Sequence, residues 1–215
     1  MDDKQLRQNV LDELEFEPSI DATNIGVVVD DGIVTLTGRV SHYPEKIAAE
    51  RAARRIKGVH AIADEIEVHC PGATSDEEIA RRALNILKWY AMVPQDAVQV
   101  TVEKAWVTLT GEVVWQYQRN AAEDAVRKLF GVAGLTNSIS IKSTTDASDI
   151  KTKIEDALTR HAQKEAQAIR VTVRDGNKVL LEGKVGSWDE REAVESAAWS
   201  AAGVQTVDDR LTIVR

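Results

Sequence analysis

The chain is short of most devices that hold small proteins together from outside their cores. It has one cysteine, Cys70. No intramolecular disulfide can form, so an oxidising compartment is neither required nor excluded. Its four histidines are His42, His60, His69 and His161. His69 adjoins Cys70, but no second Cys or His follows at metal-site spacing, so no metal centre is expected. No apolar run approaches the ~20 residues that span a bilayer. The opening Met1-Asp2-Asp3-Lys4-Gln5-Leu6 has neither a basic start nor an apolar stretch behind it. The expectation is a soluble, cytoplasmic protein, periplasmic only if a signal peptide has been removed. Cations are scarce too, 27 Lys and Arg against 35 Asp and Glu. Counterion release on nucleic acid needs clustered cations, so no nucleic-acid partner is expected. No Ser-His-Asp or Cys-His set and no Gly-rich phosphate loop is present, which argues against an enzyme.

What the chain does have, it has three times. Val34-Thr35-Leu36-Thr37-Gly38-Arg39-Val40 is echoed by Val107-Thr108-Leu109-Thr110-Gly111-Glu112-Val113 and by Val179-Leu180-Leu181-Glu182-Gly183-Lys184-Val185. Each glycine is followed at a fixed distance by a Gly-Val pair: Gly58-Val59, Gly131-Val132 and Gly203-Val204. A period of about 70 residues exceeds the roughly 20–50 residues of a solenoid unit and matches a whole small domain. The boundaries implied are 1–71, 72–144 and 145–215. Linkers fall near Pro71–Ser75 and Ser143–Ser148, which are rich in small and polar residues.

Each unit opens with a helix, because Leu6, Val10 and Leu14 recur at i, i+4, i+8, as do Ile79, Ala83, Leu87 and Ile150, Ile154, Leu158. Pro18 and Pro94 mark the exits of the first two. A strand with period two follows: Ile25, Val27, Val29; Val98, Val100, Val102; Ile169, Val171, Val173. Asp30-Asp31-Gly32 and Asp175-Gly176-Asn177 supply tight turns. In the second unit Glu103-Lys104-Ala105 stands in that place, which leaves its hairpin geometry open. The third unit carries one extra residue at this turn. An Ala-rich helix comes next, around Ala49, Ala122 and Ala197, and the glycines of the Gly-Val pairs are expected to cap it. A short apolar strand closes the unit. The fold expected is α+β: three tandem αββαβ two-layer sandwiches, each a small mixed three-stranded sheet covered by two helices. Gly38, Gly111 and Gly183 mark a bulge or a close approach, expected to let a helix pack over the sheet.

Polar residues recur as well. Lys46, Arg119 and Arg191 each precede Glu50, Glu123 and Glu195 by four, the spacing of a helical ion pair. Asp64, Asn137 and Asp209 recur before the last strand, where turn chemistry accounts for them. Arg51, Arg54, Arg55 and Lys57 form a basic patch, interleaved with Glu50 on one solvated helix face. Six of the ten aromatic residues fall in the second unit, among them Trp89, Tyr90, Trp106, Trp115 and Tyr117. Trp115 and Tyr117 are expected in the loop before the second helix, with Trp188 in the matching loop of the third unit. Loop aromatics make better contacts than core. They serve either as a partner surface or as seams between units.

These features resemble the BON domain, present as three consecutive copies. The residues that carry the likeness are the first helix, the Val-x-Val strand, the Asp-Gly turn, the Val-x-Leu-x-Gly-x-Val strand, and the Ala-rich helix that ends in Gly-Val. The resemblance implies a non-catalytic binding module linked to osmotic or envelope stress. It implies contact with a protein partner or phospholipid headgroups, assigned to the aromatic-rich second unit. The alternative it implies is a potassium sensor, with backbone carbonyls at the domain junctions replacing the ion's hydration shell. Self-association of the stacked units is a further expectation.

Overall fold

The computed structural model describes residues 2–70, 72, 74–142, 146–161, 169–174 and 177–213. The Asp175-Gly176 part of the third turn, and residues 71, 73 and 143–145 of the two linkers, lie outside them. The first repeat runs α1 (Asp3–Phe16), β1 (Ile25–Asp30), β2 (Ile33–Val40), α2 (Tyr43–Arg55) and β3 (Ala61–Val68). The second runs α3 (Asp76–Trp89), β4 (Val98–Glu103), β5 (Trp106–Val113), α4 (Gln116–Arg127) and β6 (Gly134–Ile141). The third runs α5 (Ala147–His161), β7 (Ile169–Arg174), β8 (Lys178–Val185), α6 (Trp188–Trp199) and β9 (Thr206–Ile213). Three separate three-stranded sheets result, each with the phrase that carries the recurring glycine as its central strand. β2 pairs antiparallel with β1 and parallel with β3, and β8 does the same with β7 and β9. The fold is the α+β arrangement that the alternating and helical stripes imply.

In the first and third repeats one apolar face of the sheet meets both helices. In the first repeat Leu6, Val10 and Leu14 of α1 and Ala49, Ala52 and Ala53 of α2 share a core with Val27, Val34, Leu36 and Ile66. The third repeat builds its core from Ile150, Ile154 and Leu158, Val194 and Ala198, and Val171, Val179, Leu181 and Leu211. Small side chains on α2 bring its backbone close to the sheet. By contact density the chain falls into two compact units. One is Met1–Ile86, Val100–Thr108 and Asp124–Thr136; the other is Leu87–Gln99, Leu109–Glu123 and Asn137–Arg215.

The hairpin of the second repeat matches that of the first despite its residues. Asp31 and Gly32 have φ of 48° and 76°, and Lys104 and Ala105 have φ of 51° and 62°. Positive φ at both central positions is the mirror-image turn that suits the twist of a hairpin. An aspartate of the preceding helix holds each turn. Asp3 accepts from the N–H groups of Asp31 and Gly32 at 2.9 and 3.2 Å. Asp76 accepts from those of Lys104 and Ala105, both at 2.8 Å. A Cβ at Gly32 would lie 2.7 Å from Nδ1 of His60. The residue that occupies the place of His60 beside Ala105 is Ala133, whose N–H donates to the Ala105 carbonyl at 2.9 Å. The smaller neighbour leaves room for the extra methyl group.

Three expectations are corrected. First, the recurring cations do not pair with Glu50, Glu123 and Glu195 along their own helices. They reach across to the last strand. Lys46 lies 3.4 Å from Asp64 and donates to the Ile66 carbonyl at 2.7 Å, and Arg191 donates to Asp209 at 2.7 Å. In the second repeat Arg119 donates to the Asn137 carbonyl, and the Asn137 amide donates to the Arg119 carbonyl and to Glu123. Glu50 instead pairs with Arg54, and Glu195 accepts from the Trp199 indole. The cation thus clamps the crossover helix to the strand it leads into. Second, the close approach at Gly38 and Gly111 is to the backbone that leads into the first strand, not to either packed α-helix. A Cβ there would overlap the carbonyl oxygen of Asn24 or Ala97, just before the first strand of the repeat. Third, Gly58 lies beyond the end of α2, whose cap residue Ile56 is extended. Gly58, Gly131 and Gly203 take positive φ in the turn that follows each helix.

Candidate functional site

The structure separates the aromatic candidates into two places. Trp106 opens β5 beside the hairpin turn. Its ring covers Gly134, where any Cβ would clash with it, and its indole N–H donates to Thr136 at 2.9 Å. Trp106 is nonetheless about half exposed, at 48%. Trp89 and Tyr90 lie at the far end of α3, a helix of 14 residues and therefore about 20 Å long. Its first residue, Asp76, holds the hairpin turn, so its last lies at the opposite end of the repeat. Trp115 and Tyr117 follow the far end of β5, and their ring centroids are 6.2 Å apart.

Their exposures differ sharply. Trp89 is 88% exposed, Tyr117 52% and Tyr90 38%. Met92, which composition did not single out, is 59% exposed between Tyr90 and a buried Val93. Phe16 ends α1 as Trp89 ends α3, and it is 83% exposed. Trp115 is half-buried. The carbonyl of its neighbour Val114 accepts from the Gly203 N–H at 3.1 Å, so this stretch belongs to the seam between the second and third repeats. Gln205 adds to that seam by donating to the Ile141 carbonyl at 3.2 Å. Both carbonyls are therefore engaged by protein donors. Tyr117 and Trp188, expected in the loops before the second helices, lie instead in the first turns of α4 and α6. Trp188 is 70% exposed, with the Arg191 guanidinium 5.4 Å from its ring centroid.

The basic patch divides in a comparable way. Arg54 is taken by Glu50, and Arg55 by Glu13 and Glu17 at 2.9 and 3.2 Å. Hydrogen bonds from Ser19 and then Arg55 hold the Glu17 carboxyl below its usual range. Arg51 and Lys57 are exposed. Arg51 faces a groove of about 450 Å³, with Arg127 and Lys128 of the second repeat on its other side. Spacing could not reveal this grouping, because the two sets of cations lie in different repeats.

Among the described residues no cluster of His, Cys, Asp and Glu suits a metal ion, and no helix is long and apolar enough to cross a membrane. The BON domain family model matches residues 2–70, 75–143 and 146–215. Osmotically-inducible protein Y of Escherichia coli strain K12 is 27% identical over 148 residues, covering 66% of this chain and 74% of its own. Among solved structures, CdsD, a structural protein of the type III secretion system of Chlamydia trachomatis, aligns at 14% identity with a TM-score of 0.28. That alignment covers 98% of this chain and 92% of the other. The C-terminal domain of CdsD gives the same identity and score over 100% of both chains. With three matches in tandem over nearly every residue, the chain belongs to the BON domain family.

Proposed function

We propose that this chain is a non-enzymatic binding protein of the BON type, tied to osmotic stress, that meets its partner through the second repeat. The stress link is supported by the name of its relative, osmotically-inducible protein Y. The contact surface is assigned to Trp89, Tyr90 and Tyr117 at the end of the repeat away from the hairpin. The observation that carries it is Trp89, 88% exposed beside Tyr90 and Met92. A Trp side chain buries about 200 Å² when fully covered, on the order of 5 kcal/mol of apolar burial. That stabilisation is unused in the free chain and available to a complex. Large rings at the centre of an interface are the usual energetic anchors.

The partner is a protein or a lipid headgroup surface. The net charge of −8 disfavours anionic headgroups, which attract basic segments. Flotation with zwitterionic and with anionic vesicles tests the lipid arm, and crosslinking in osmotically stressed cells tests the protein arm. The W89A/Y117A double variant is expected to fold normally and to lose whichever contact is found. If that variant retains every contact of the parent chain, the assignment to this surface is wrong. Cell fractionation checks the location, cytoplasmic by the sequence reading with the periplasm as its alternative.

A further inference from the structure

We infer that the groove between the first two repeats is a binding site for a small phosphorylated ligand that carries a planar ring, of the nucleoside monophosphate class. Two adjoining hollows make it up, of about 450 and 470 Å³, and they share Ser19, Pro44 and Lys128. Either volume lies in the range of small-molecule sites, about 300–1,000 Å³. Their linings differ in a way that matches the two halves of such a ligand.

The first hollow is cationic. Arg51, Arg55, Arg127 and Lys128 line it, against the carboxylates of Glu17 and Asp124. Both carboxylates are already committed. Glu17 is 3.2 Å from Arg55, and Asp124 is 2.8 Å from Arg127. Arg51 and Lys128 have no carboxylate partner among the described residues. Two cations therefore line the groove with their charge uncompensated, Arg51 from α2 and Lys128 from the turn just after α4. Ile47, Ala48 and Pro44 give that hollow an apolar wall, which lowers the local dielectric and strengthens attraction for an anion. Phosphate is the anion suited to several Arg and Lys donors at once.

The second hollow is aromatic. His42 and Phe130 line it, ring centroids 5.8 Å apart and planes at 62°. An edge-on pair of this kind leaves ring face uncovered, and Phe130 is 39% exposed. A base can stack there, as bases do on exposed aromatic faces. Glu45 lines this end too and offers an acceptor to a sugar hydroxyl. Lys128 belongs to both hollows, so the phosphate and ring ends of one ligand are addressed together. This site shares no residue with the aromatic contact surface, and the two proposals stand or fall separately.

The test is isothermal titration calorimetry of the whole chain with AMP, adenosine and inorganic phosphate. AMP is expected to bind with one site per chain and more tightly than either fragment. The R51E/K128E variant changes two exposed residues and should fold normally, which its thermal melt checks. It is expected to weaken AMP at least tenfold, about 1.4 kcal/mol. F130L is expected to weaken AMP and to leave inorganic phosphate unchanged. The proposal is overturned if AMP gives no heat up to about 10 mM, below the affinity of weak small-ligand sites. It is equally overturned if AMP binds no better than phosphate alone, or if folded R51E/K128E binds as the parent does. Vesicle flotation abolished by R51E/K128E, with no AMP heat, would reassign the cations to a lipid headgroup.

Discussion

Replacing Gly111 by Ala probes the least forgiving contact in the repeat. Gly111 has φ of +133°, a region that residues with a side chain rarely enter. That strain costs on the order of 1–3 kcal/mol. The added Cβ would also overlap the carbonyl oxygen of Ala97, backbone that cannot swing aside as a side chain can. Relieving such an overlap by a backbone shift costs about 1–3 kcal/mol more. The same carbonyl accepts from the Glu112 N–H at 3.2 Å, a bond worth about 1 kcal/mol that the shift endangers. Together the loss is about 2–7 kcal/mol, the upper end if that hydrogen bond is lost. A domain of some 70 residues has roughly 4–10 kcal/mol in all, so the second repeat should lose much of its stability. Trp89, Trp106 and Trp115 lie in that repeat, so intrinsic fluorescence during urea denaturation reads its unfolding. Gly72→Ala is the control. Gly72 has φ of +94° with nothing within 4 Å of an added Cβ, so only backbone strain applies. A midpoint for G111A equal to that of G72A would refute the argument from close approach.

Other substitutions test separate parts of the account. A105G removes a side chain from a position with φ of +62° and should raise the stability of the second repeat by about 1 kcal/mol; an unchanged urea midpoint counts against strain there. D209N strips the charge from the clamp that Arg191 makes at 2.7 Å, and should cost about 1 kcal/mol by thermal melting of the third repeat. A loss no larger than that of an exposed control such as D208N would show that the clamp carries no weight. Asp21 gives the pH test. Hydrogen bonds from Thr23, then Asn24, hold its carboxyl below the usual 3.8. A lowered native value means its stabilising contribution is complete above 3.8 and lost as pH falls through the lower native value. D21A should therefore flatten the acid limb of the stability profile of the first repeat, and an identical acid limb would contradict the assignment.

The fold was legible because its signals are local. Leu6, Val10 and Leu14 announce a helix by spacing alone, and Ile25 and Val27 announce a strand. Three copies in register then removed the ambiguity that any single copy leaves. Contacts between elements were less legible. Lys46 and Glu50 are well spaced for a helical pair, but nothing local shows that Asp64 lies closer to the lysine. The equivalent pair in the third repeat joins residues 18 apart in the chain. The Lys104-Ala105 turn was hidden because neither residue favours positive φ; the hold of Asp76 on their N–H groups and the small Ala133 beside Ala105 explain it. The aromatic excess of the second repeat was visible in composition, yet composition could not tell the seam beside Trp115 from the open ring of Trp89. The groove that Arg51 and Lys128 share was invisible, since it exists only where two repeats meet.

Backbone nuclear Overhauser effects across the strands of the intact chain test the threefold architecture most directly. Cross-strand signals are predicted for Val27 with Leu36 and Val34 with Ile62, and likewise for Val171 with Leu181 and Val179 with Val207. Each central strand should see only the partners of its own repeat. Signals that join a strand of one repeat to a strand of another would mean exchanged or continuous sheets, and three self-contained units could not stand.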